Sequence, residues 1–326
     1  MEVQKLSLPF TRKASTTTAV ALSIIIVNWN TRDLLAQCLE SVANNARLMP
    51  HLRMETFVVD NASTDSSAAM VGERFPWVQL VENEVNTGFA QANNQAIRLS
   101  TGRYVLLLNP DTEVKPQALY TLMDFMESQQ DAGAAGSWLL NADGSLQTSC
   151  YPAPTLSREL WRLFHLDTLY PYSHYQMDKW DRCVPQKVDV LKGACVILRR
   201  KALDEIGLLD ENYFMYSEEV DLCYRLQKAG WNLYWVPQSQ VVHFGGESTK
   251  QVAAEMFLQL YRGKVVYFRK HYGRPRGIAY KLILLAASLA RLSLTPVVYL
   301  QRPPERDKNL LLAVHYSRLL AVLPRM

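Results

Sequence analysis

The stretch Leu106-Leu-Leu-Asn-Pro-Asp-Thr-Glu-Val114 decides how the chain is read. The run that enters it, Tyr104-Val105-Leu106-Leu107-Leu108, is apolar on both sides, which suits a strand buried on two faces, as in a parallel sheet. Asn109-Pro110-Asp111 stops that strand, because proline has no N–H to donate and fixes its own φ. Asp111, with Glu113 behind it, then stands at the carboxyl end of a central strand, where open α/β sheets bind ligands. Asn-Pro-Asp is also an ordinary turn sequence, so its surroundings have to decide.

Upstream, Ala21-Leu-Ser-Ile-Ile-Ile-Val-Asn28 reads as a first strand, ended by Trp29-Asn30. Thr31 is placed to cap a helix whose apolar face is Leu34, Leu35, Cys38, Leu39 and Val42. Thr56-Phe-Val-Val-Asp60 is a second buried strand, stopped by Asn61-Ala-Ser-Thr-Asp65 and followed by a helix and a short strand at Val78–Val81. The Asn86-Thr87-Gly88 turn introduces a further helix that ends near Gly102. Strand and helix therefore alternate to about residue 130, the pattern of a doubly wound α/β sheet. No Gly-x-Gly-x-x-Gly follows the first strand, which argues against an NAD-binding domain.

Downstream, residues 141–187 are rich in aromatics (Trp161, Phe164, Tyr170, Tyr172, Tyr175, Trp180) and interrupted by prolines. Such an irregular segment is either a binding loop or a flap packed on the sheet. A strand returns around Gly193-Ala-Cys-Val-Ile-Leu198, and its small first residues would let a ligand approach the backbone. Ser217 is placed to cap a helix over Glu218–Ala229, whose acidic first turn suits the helix dipole. A strand at Trp231–Val236 and the segment Val241–Gly246 close this part of the chain.

The net charge of +4 is too mild to point to nucleic acid. The five cysteines are scattered without a Cys-x-x-Cys, which suggests reduced thiols in a cytoplasmic protein and no zinc site. Residues 1–20 read as a loose tail. From His271 to Met326 there are nine Lys or Arg against two acids. The apolar run Ile278–Leu300 is broken by Lys281, Arg291 and Pro296 and falls short of the ~18 consecutive apolar residues of a spanning helix. It reads as an amphipathic helix on an anionic membrane surface, with a protein-packed helix as the alternative.

Four separated stations remain: Asp60 and Asn61, Asp111, the pair Glu218 and Glu219, and His243. Each alone has a structural explanation as a cap, a dipole partner or a buried histidine. Ordered along an α/β pattern, they suit a site that handles a phosphate ester and a divalent cation. In this order the chain resembles a family 2 glycosyltransferase of the GT-A fold, and most of all its rhamnosyltransferase-like members. The matching pieces are Ser23–Asn30, Val58-Val-Asp-Asn-Ala-Ser-Thr-Asp65, Asn86-Thr-Gly-Phe-Ala-Gln-Ala-Asn-Asn94, Leu107–Thr112, Gly193-Ala194, Asp210–Leu222 and His243-Phe-Gly-Gly-Glu-Ser248. They span about residues 21–250, leaving 251–326 as a basic, apolar helical extension.

The resemblance implies a Rossmann-like, mostly parallel sheet flanked by helices, and the transfer of a sugar from a nucleotide-sugar to an acceptor hydroxyl with inversion. It implies donor contacts by Asn28, Asn30, Asp60, Asn61, Asn86, Gly88, Asn94, Asn109, Asp111 and Gly193. Asn109-Pro110-Asp111 stands where the family carries an Asp-x-Asp metal motif. Asp111 is then the expected ligand of Mg²⁺ or Mn²⁺, with His243 as a second. Glu219 falls on the family's general base, with Glu218 beside it as the other candidate. The first metal-motif position is Asn rather than Asp, and the base position is Glu rather than Asp. The resemblance also implies a glycan or lipid-linked glycan acceptor and work at the inner face of a cell membrane, with dTDP-rhamnose the first donor to test. A catalytically inactive nucleotide-sugar-binding subunit is the alternative those two departures leave open.

Overall fold

The computed structural model describes residues 19–246, 248, 251–298 and 302–326. The tail expected over residues 1–20 therefore lies almost wholly outside the described residues, as do Glu247 of the His243 motif and the end of the Ile278–Leu300 run.

The expected alternation is present. β1 (Leu22–Asn28), α1 (Arg32–Arg47), β2 (Met54–Asp60), α2 (Ser67–Arg74), β3 (Gln79–Glu82), α3 (Phe89–Leu99) and β4 (Tyr104–Leu108) follow in order. β1 pairs in parallel with β2 on one side and β4 on the other, and β3 extends the sheet beyond β2. The strands are buried on both faces because their residues divide by parity between two cores. Leu22, Ile24 and Ile26 join the core under α1, while Ile25 and Val27 join the core under α3.

The chain continues through β5 (Thr112–Val114), α4 (Ala118–Ser128), β6 (Ala132–Leu140), β7 (Cys150–Tyr151) and α5 (Leu156–Leu163). Then come β8 (Gln186–Lys187), β9 (Val190–Leu191), β10 (Cys195–Arg199), α6 (Arg200–Ile206), α7 (Glu218–Lys228) and β11 (Asn232–His243). The sheet order is β3-β2-β1-β4-β10-β6-β11-β5, with β8 against β11. β10 runs antiparallel to both β4 and β6, so its amino end lies at the edge where β1, β2 and β4 have their carboxyl ends. That reversal brings Gly193 to the same edge as Asp60 and Asp111.

Several local expectations need correction. The Thr31 hydroxyl does not cap α1; it donates to Asn28 Oδ1 at 2.7 Å. The Asp65 carboxylate accepts from the Arg32 N–H at 2.8 Å instead. Ser217 precedes α7 at φ +73° and makes no side-chain cap hydrogen bond. α3 ends at Leu99, short of Gly102, because Ser100 is already extended. The segment 141–187 holds α5 and short turns, and Trp180 packs on Trp235 with ring centroids 5.3 Å apart, so this part of it is a flap on the sheet.

The C-terminal part is helical: α8 (Ala253–Tyr272), α9 (Arg274–Ser293), a single turn at Thr295–Val298 and α10 (Pro303–Val322). A third core, including Tyr261, Phe268, Tyr280, Leu284, Tyr316 and Leu319, joins these helices to Leu163 of α5. α9 has two apolar faces. Gly277, Tyr280, Leu284, Ala287 and Ser288 are buried, while Ile278, Leu282, Leu285 and Leu289 are exposed at helical spacing. No described helix is long and apolar enough to cross a membrane. α8 is tied to α7 by the fully buried Asp221, which meets Arg225 Nε at 2.7 Å, Lys270 Nζ at 2.6 Å and His271 Nε2 at 2.7 Å. The extension thus braces the helix start that carries Glu218 and Glu219.

Candidate active site

The strand ends deliver the polar residues to one edge, and hydrogen bonds then fix them. Asn28 is fully buried and donates to Asp60 Oδ1 at 3.0 Å, while Asp60 Oδ2 accepts from the Ser63 N–H at 2.9 Å. Asn61 is the hub of the next turn. Its Nδ2 donates to Asn86 Oδ1 at 2.8 Å, and its Oδ1 accepts from the Thr87 N–H at 3.0 Å and from Asn83 Nδ2 at 3.1 Å. Gly88 sits at φ +86° and ψ 169°, a conformation open to glycine alone. A Cβ there would lie 2.5 Å from the Phe214 carbonyl oxygen.

These residues open on a cavity of about 380 Å³. Asn61, Asn86, Gly88, Asn109 and Asp111 line it on the polar side. Trp29, Phe214 and Met215 supply an apolar wall, and Met256 and Gln259 of α8 close it from the helical extension. Five residues with expected donor contacts, Asn28, Asn30, Asp60, Asn94 and Gly193, do not line it. Asn28 and Asp60 spend their side chains on each other and on the 60–63 turn, so they shape the wall from behind. Asn30 faces a neighbouring hollow with Asp65 and Gln251, its Oδ1 taken by the Thr64 N–H at 2.7 Å.

Asn94 is the clearest correction. It is buried, donates to the Leu209 carbonyl at 2.8 Å and to Glu211 Oε1 at 2.9 Å, and accepts from the Leu209 N–H at 3.1 Å. These bonds clamp the 209–211 loop to α3 and use both amide protons of Asn94.

Asp111 and His243 are brought together by sheet pairing. Thr112 lies opposite His243 in the β5–β11 ladder, and the Phe244 N–H donates to the Asp111 carbonyl at 2.9 Å. His243 Nδ1 is 2.6 Å from Gln147 Oε1. Gln147 uses its Nε2 as donor to the His243 carbonyl at 3.0 Å and to Asn141 Oδ1 at 2.9 Å, so its Oε1 must accept. The proton of neutral His243 is therefore on Nδ1, and Nε2 is an acceptor. That Nε2 lies 3.3 Å from Asn109 Nδ2 and 3.4 Å from Asp111 Oδ1. An imidazole nitrogen thus stands beside the carboxylate of Asp111, which lines the cavity, and the two are the donor pair a divalent cation would share. Among the described residues no cluster of three or more His, Cys, Asp or Glu is placed to hold a metal. The remaining ligands of any such ion would be phosphate oxygens and water, the usual case for Mg²⁺ at phosphate-handling sites.

Glu218 and Glu219 open α7, and each keeps a buried Oε2 with no hydrogen-bond partner among the described residues. Burial pushes both carboxyls above their ordinary range; for Glu218 the neighbouring charge of Glu219 adds to it, and for Glu219 backbone N–H groups and Lys264 pull back. Only Glu219 faces open space. It lines a second cavity of about 370 Å³, together with Tyr151, Lys192, Tyr216 and Lys264. Gly193 backs it, with room for a Cβ 3.8 Å from that of Glu219. Lys192 connects the second cavity to the Gln147–His243 pair. Its ammonium donates to Gln147 Oε1 at 3.0 Å, and it feels the carboxylates of both Asp111 and Glu219, which oppose the downward pull of burial on its pKa.

Neither Gln147 nor Lys192 was picked out from the sequence. Gln147 lies in the irregular segment, where nothing in the sequence marks it. Lys192 directly precedes Gly193-Ala194, and that adjacency was the available signal. Lys264 falls on the buried stripe Tyr261, Val265, Phe268 of α8, and a lysine on an apolar face is a legible anomaly.

Residues 23–207 match the family described as Glycosyl transferase family 2. The chain belongs to that family. Over 210 residues the transferase is 32% identical to N-acetylglucosaminyl-diphospho-decaprenol L-rhamnosyltransferase of Mycobacterium tuberculosis, a match covering 60% of this chain and 68% of that one. It is 27% identical over 178 residues to rhamnosyltransferase WbbL of Escherichia coli K12, covering 52% of this chain and 66% of the relative. Among solved structures it resembles the mannosyltransferase PcManGT of Pyrobaculum calidifontis in complex with GDP-Man and Mn²⁺. The TM-score is 0.56 at 16% identity, over 94% of this chain and 86% of the other. Residues 1–349 of Staphylococcus aureus TarS superpose with a TM-score of 0.51 at 14% identity, over 94% and 92% of the two chains. At these identities the likeness establishes the fold, GT-A. The protein is thus a glycosyltransferase of glycan synthesis.

Proposed function

We propose that this glycosyltransferase moves a sugar, with rhamnose from dTDP-rhamnose the first candidate, onto a hydroxyl of a lipid-linked glycan with inversion at the anomeric carbon. The observation that carries this reading is a pair of cavities that both reach α8, one lined by Asp111 and the other by Glu219. Asp111 lines one cavity, with His243 Nε2 3.4 Å from its carboxylate, and Glu219 and Lys192 line the other. Inversion needs a leaving group and a base on opposite sides of one carbon, and a metal station in one cavity with a carboxylate in the other supports that division.

In this reading the nucleoside lies in the first cavity against Trp29 and Phe214, with the Asn61–Asn86 turn along its edge. Asp111 and His243 Nε2 would hold a divalent cation, which when bound supplies Lewis-acid neutralisation of the departing nucleoside diphosphate. The nitrogen ligand suits Mn²⁺ at least as well as Mg²⁺. Glu219 accepts the proton of the acceptor hydroxyl at its carboxylate, which lines the second cavity. Glu218 is buried beside it, where burial and the charge of Glu219 favour its neutral form. Support for the rhamnosyl donor comes from the names of the relatives, and support for a membrane position from the exposed row Ile278, Leu282, Leu285 and Leu289 beside the basic C-terminal residues.

The test is nucleotide-sugar protection in a thermal melt, with dTDP-rhamnose, UDP-hexoses and GDP-mannose, each with Mn²⁺ and with chelator. A shift with one donor that needs Mn²⁺ and disappears in Asp111→Ala supports the reading. Turnover of that donor by a retaining route, seen in the anomeric configuration of the product by NMR, contradicts it.

A further inference from the structure

The cavity beside Glu219 has a wall that sugar recognition alone does not explain. Four cations face it, Arg158, Arg162, Lys192 and Lys264, against two carboxylates, Glu159 and Glu219. Glu159 is buried and accepts from Lys264 Nζ at 2.7 and 2.9 Å, from Arg162 Nη2 at 2.6 Å and from Tyr280 at 3.3 Å. One carboxylate thus fixes two cations in place without matching their charge. Among the described residues the Arg158 guanidinium is partnered by the Ala153 carbonyl at 2.8 Å and the Tyr172 ring. Both Arg158 and Arg162 keep a buried Nε–H with no acceptor among the described residues. Buried N–H groups of a guanidinium are costly to leave unpaired.

We propose that this cavity is a phosphate-binding subsite for the acceptor, in which Arg158, Arg162, Lys192 and Lys264 take a phosphate or diphosphate group while the acceptor hydroxyl meets Glu219. It rests on the transferase reading of Glu219 and adds the acceptor's chemical class. Planar guanidinium forks match phosphate oxygens in pairs, and a fixed lysine adds a point charge. The Lys264 ammonium is consistent with this. Burial pulls its pKa down to about 8 despite the Glu159 carboxylate, and a bound phosphate would oppose that pull. The outer side of α5 bears on the source of the phosphate. Arg158, Glu159 and Arg162 face the cavity, while Leu160 and Phe164 of the same stretch are exposed, followed by Leu169 and Tyr170. An apolar shoulder beside a cationic pocket suits a phosphate that arrives on a lipid.

Isothermal titration calorimetry on the full chain tests this in EDTA, so that no divalent cation helps the first cavity hold a diphosphate. The probes are inorganic pyrophosphate, farnesyl diphosphate and farnesol. Both diphosphates are expected to bind and farnesol not. Affinity falls about tenfold or more in Arg158→Gln and in Lys192→Met, as for loss of one charge-assisted hydrogen bond, and stays within about twofold in Asp111→Asn. Tighter binding of farnesyl diphosphate than of pyrophosphate assigns the phosphate to a lipid carrier; equal binding assigns it to a phosphate without one, and either supports the subsite. No diphosphate binding, or binding that Asp111→Asn removes and both cation variants leave intact, overturns it. Thermal protection by nucleotide-sugar with Mn²⁺, read on the same proteins, reports the donor cavity separately. It persists if the subsite alone is wrong and is missing in the wild type if the transferase reading is wrong.

Discussion

Gly88→Ala should be among the most damaging single-methyl changes in this protein, and its cost can be worked from two independent sources. The first is backbone strain. Gly88 sits at φ +86° and ψ 169°, where an L side chain costs about 1–3 kcal/mol. The second is contact. The new Cβ would stand 2.5 Å from the Phe214 carbonyl oxygen and 2.8 Å from its ring, and a backbone oxygen cannot swing away. Relief requires the 214 segment to retreat, which breaks the hydrogen bond from the Phe89 N–H to the Phe214 carbonyl at 2.7 Å. That adds about 1 kcal/mol, for a total of about 2–4 kcal/mol. Gly144→Ala is the control. Its φ is +81°, but nothing lies within 4 Å of its Cβ, so only the strain of about 1–2 kcal/mol applies. Urea unfolding followed by tryptophan fluorescence measures both. Because Gly88 and Phe214 line the donor cavity, Gly88→Ala should also weaken nucleoside diphosphate binding, whereas Gly144→Ala should not. A Gly88→Ala protein within about 0.5 kcal/mol of wild type, or no worse than Gly144→Ala, refutes the argument.

Three further outcomes follow from the same geometry. Glu218 has a folded-state pKa above its ordinary 4.5, so its contribution to stability is complete below that pH and is lost as pH rises through the folded value. Glu218→Gln, which keeps the shape without the charge, should flatten that decline and raise the melting temperature at pH 8 relative to wild type; an unchanged pH–stability curve counts against it. Asn94→Leu should destabilise by about 2–4 kcal/mol, because it strands the Leu209 N–H and carbonyl, yet leave nucleotide affinity intact in the protein that folds; a selective loss of nucleotide binding would return Asn94 to the donor site. Leu282→Glu with Leu289→Glu should reduce co-sedimentation with anionic vesicles and leave the melt unchanged, since both side chains are exposed; undiminished co-sedimentation removes α9 as the membrane face.

Much of the site was legible because its residues punctuate apolar runs. Asn61, Asp111 and His243 each follow a buried strand, and parallel pairing sends those ends to one edge. Glu218 and Glu219 were legible as an acidic helix start. What the sequence did not reveal was side-chain direction and long-range packing. Asn94 belongs to the right motif, but α3 turns its amide toward Leu209, a loop more than a hundred residues away. The β10 strand reads as a strand in either direction, and only its pairing shows that Gly193 lies at its functional end. α9 is apolar on two faces, so its sequence supports a packed helix and a surface helix equally, and the fold uses one face for packing and exposes the other. Gln147 and Arg158 sit in the segment of weakest periodicity, where only the tertiary structure assigns them partners.

The central claim is that Glu219 is the general base opposite the Asp111–His243 station. The most direct measurement is turnover of the protected nucleotide-sugar by wild type, Glu219→Gln and Glu218→Gln, followed as released nucleoside diphosphate across pH. The account predicts that Glu219→Gln lowers kcat by about 10²–10⁴-fold while donor protection is retained. It predicts an acid limb of wild-type kcat/KM above the ordinary glutamate value of 4.5, because the base must be ionised and burial raises its pKa. Glu218→Gln should keep most of its activity. Activity of Glu219→Gln within a few-fold of wild type, with Glu218→Gln inactive, would contradict the account and move the base one residue along the helix.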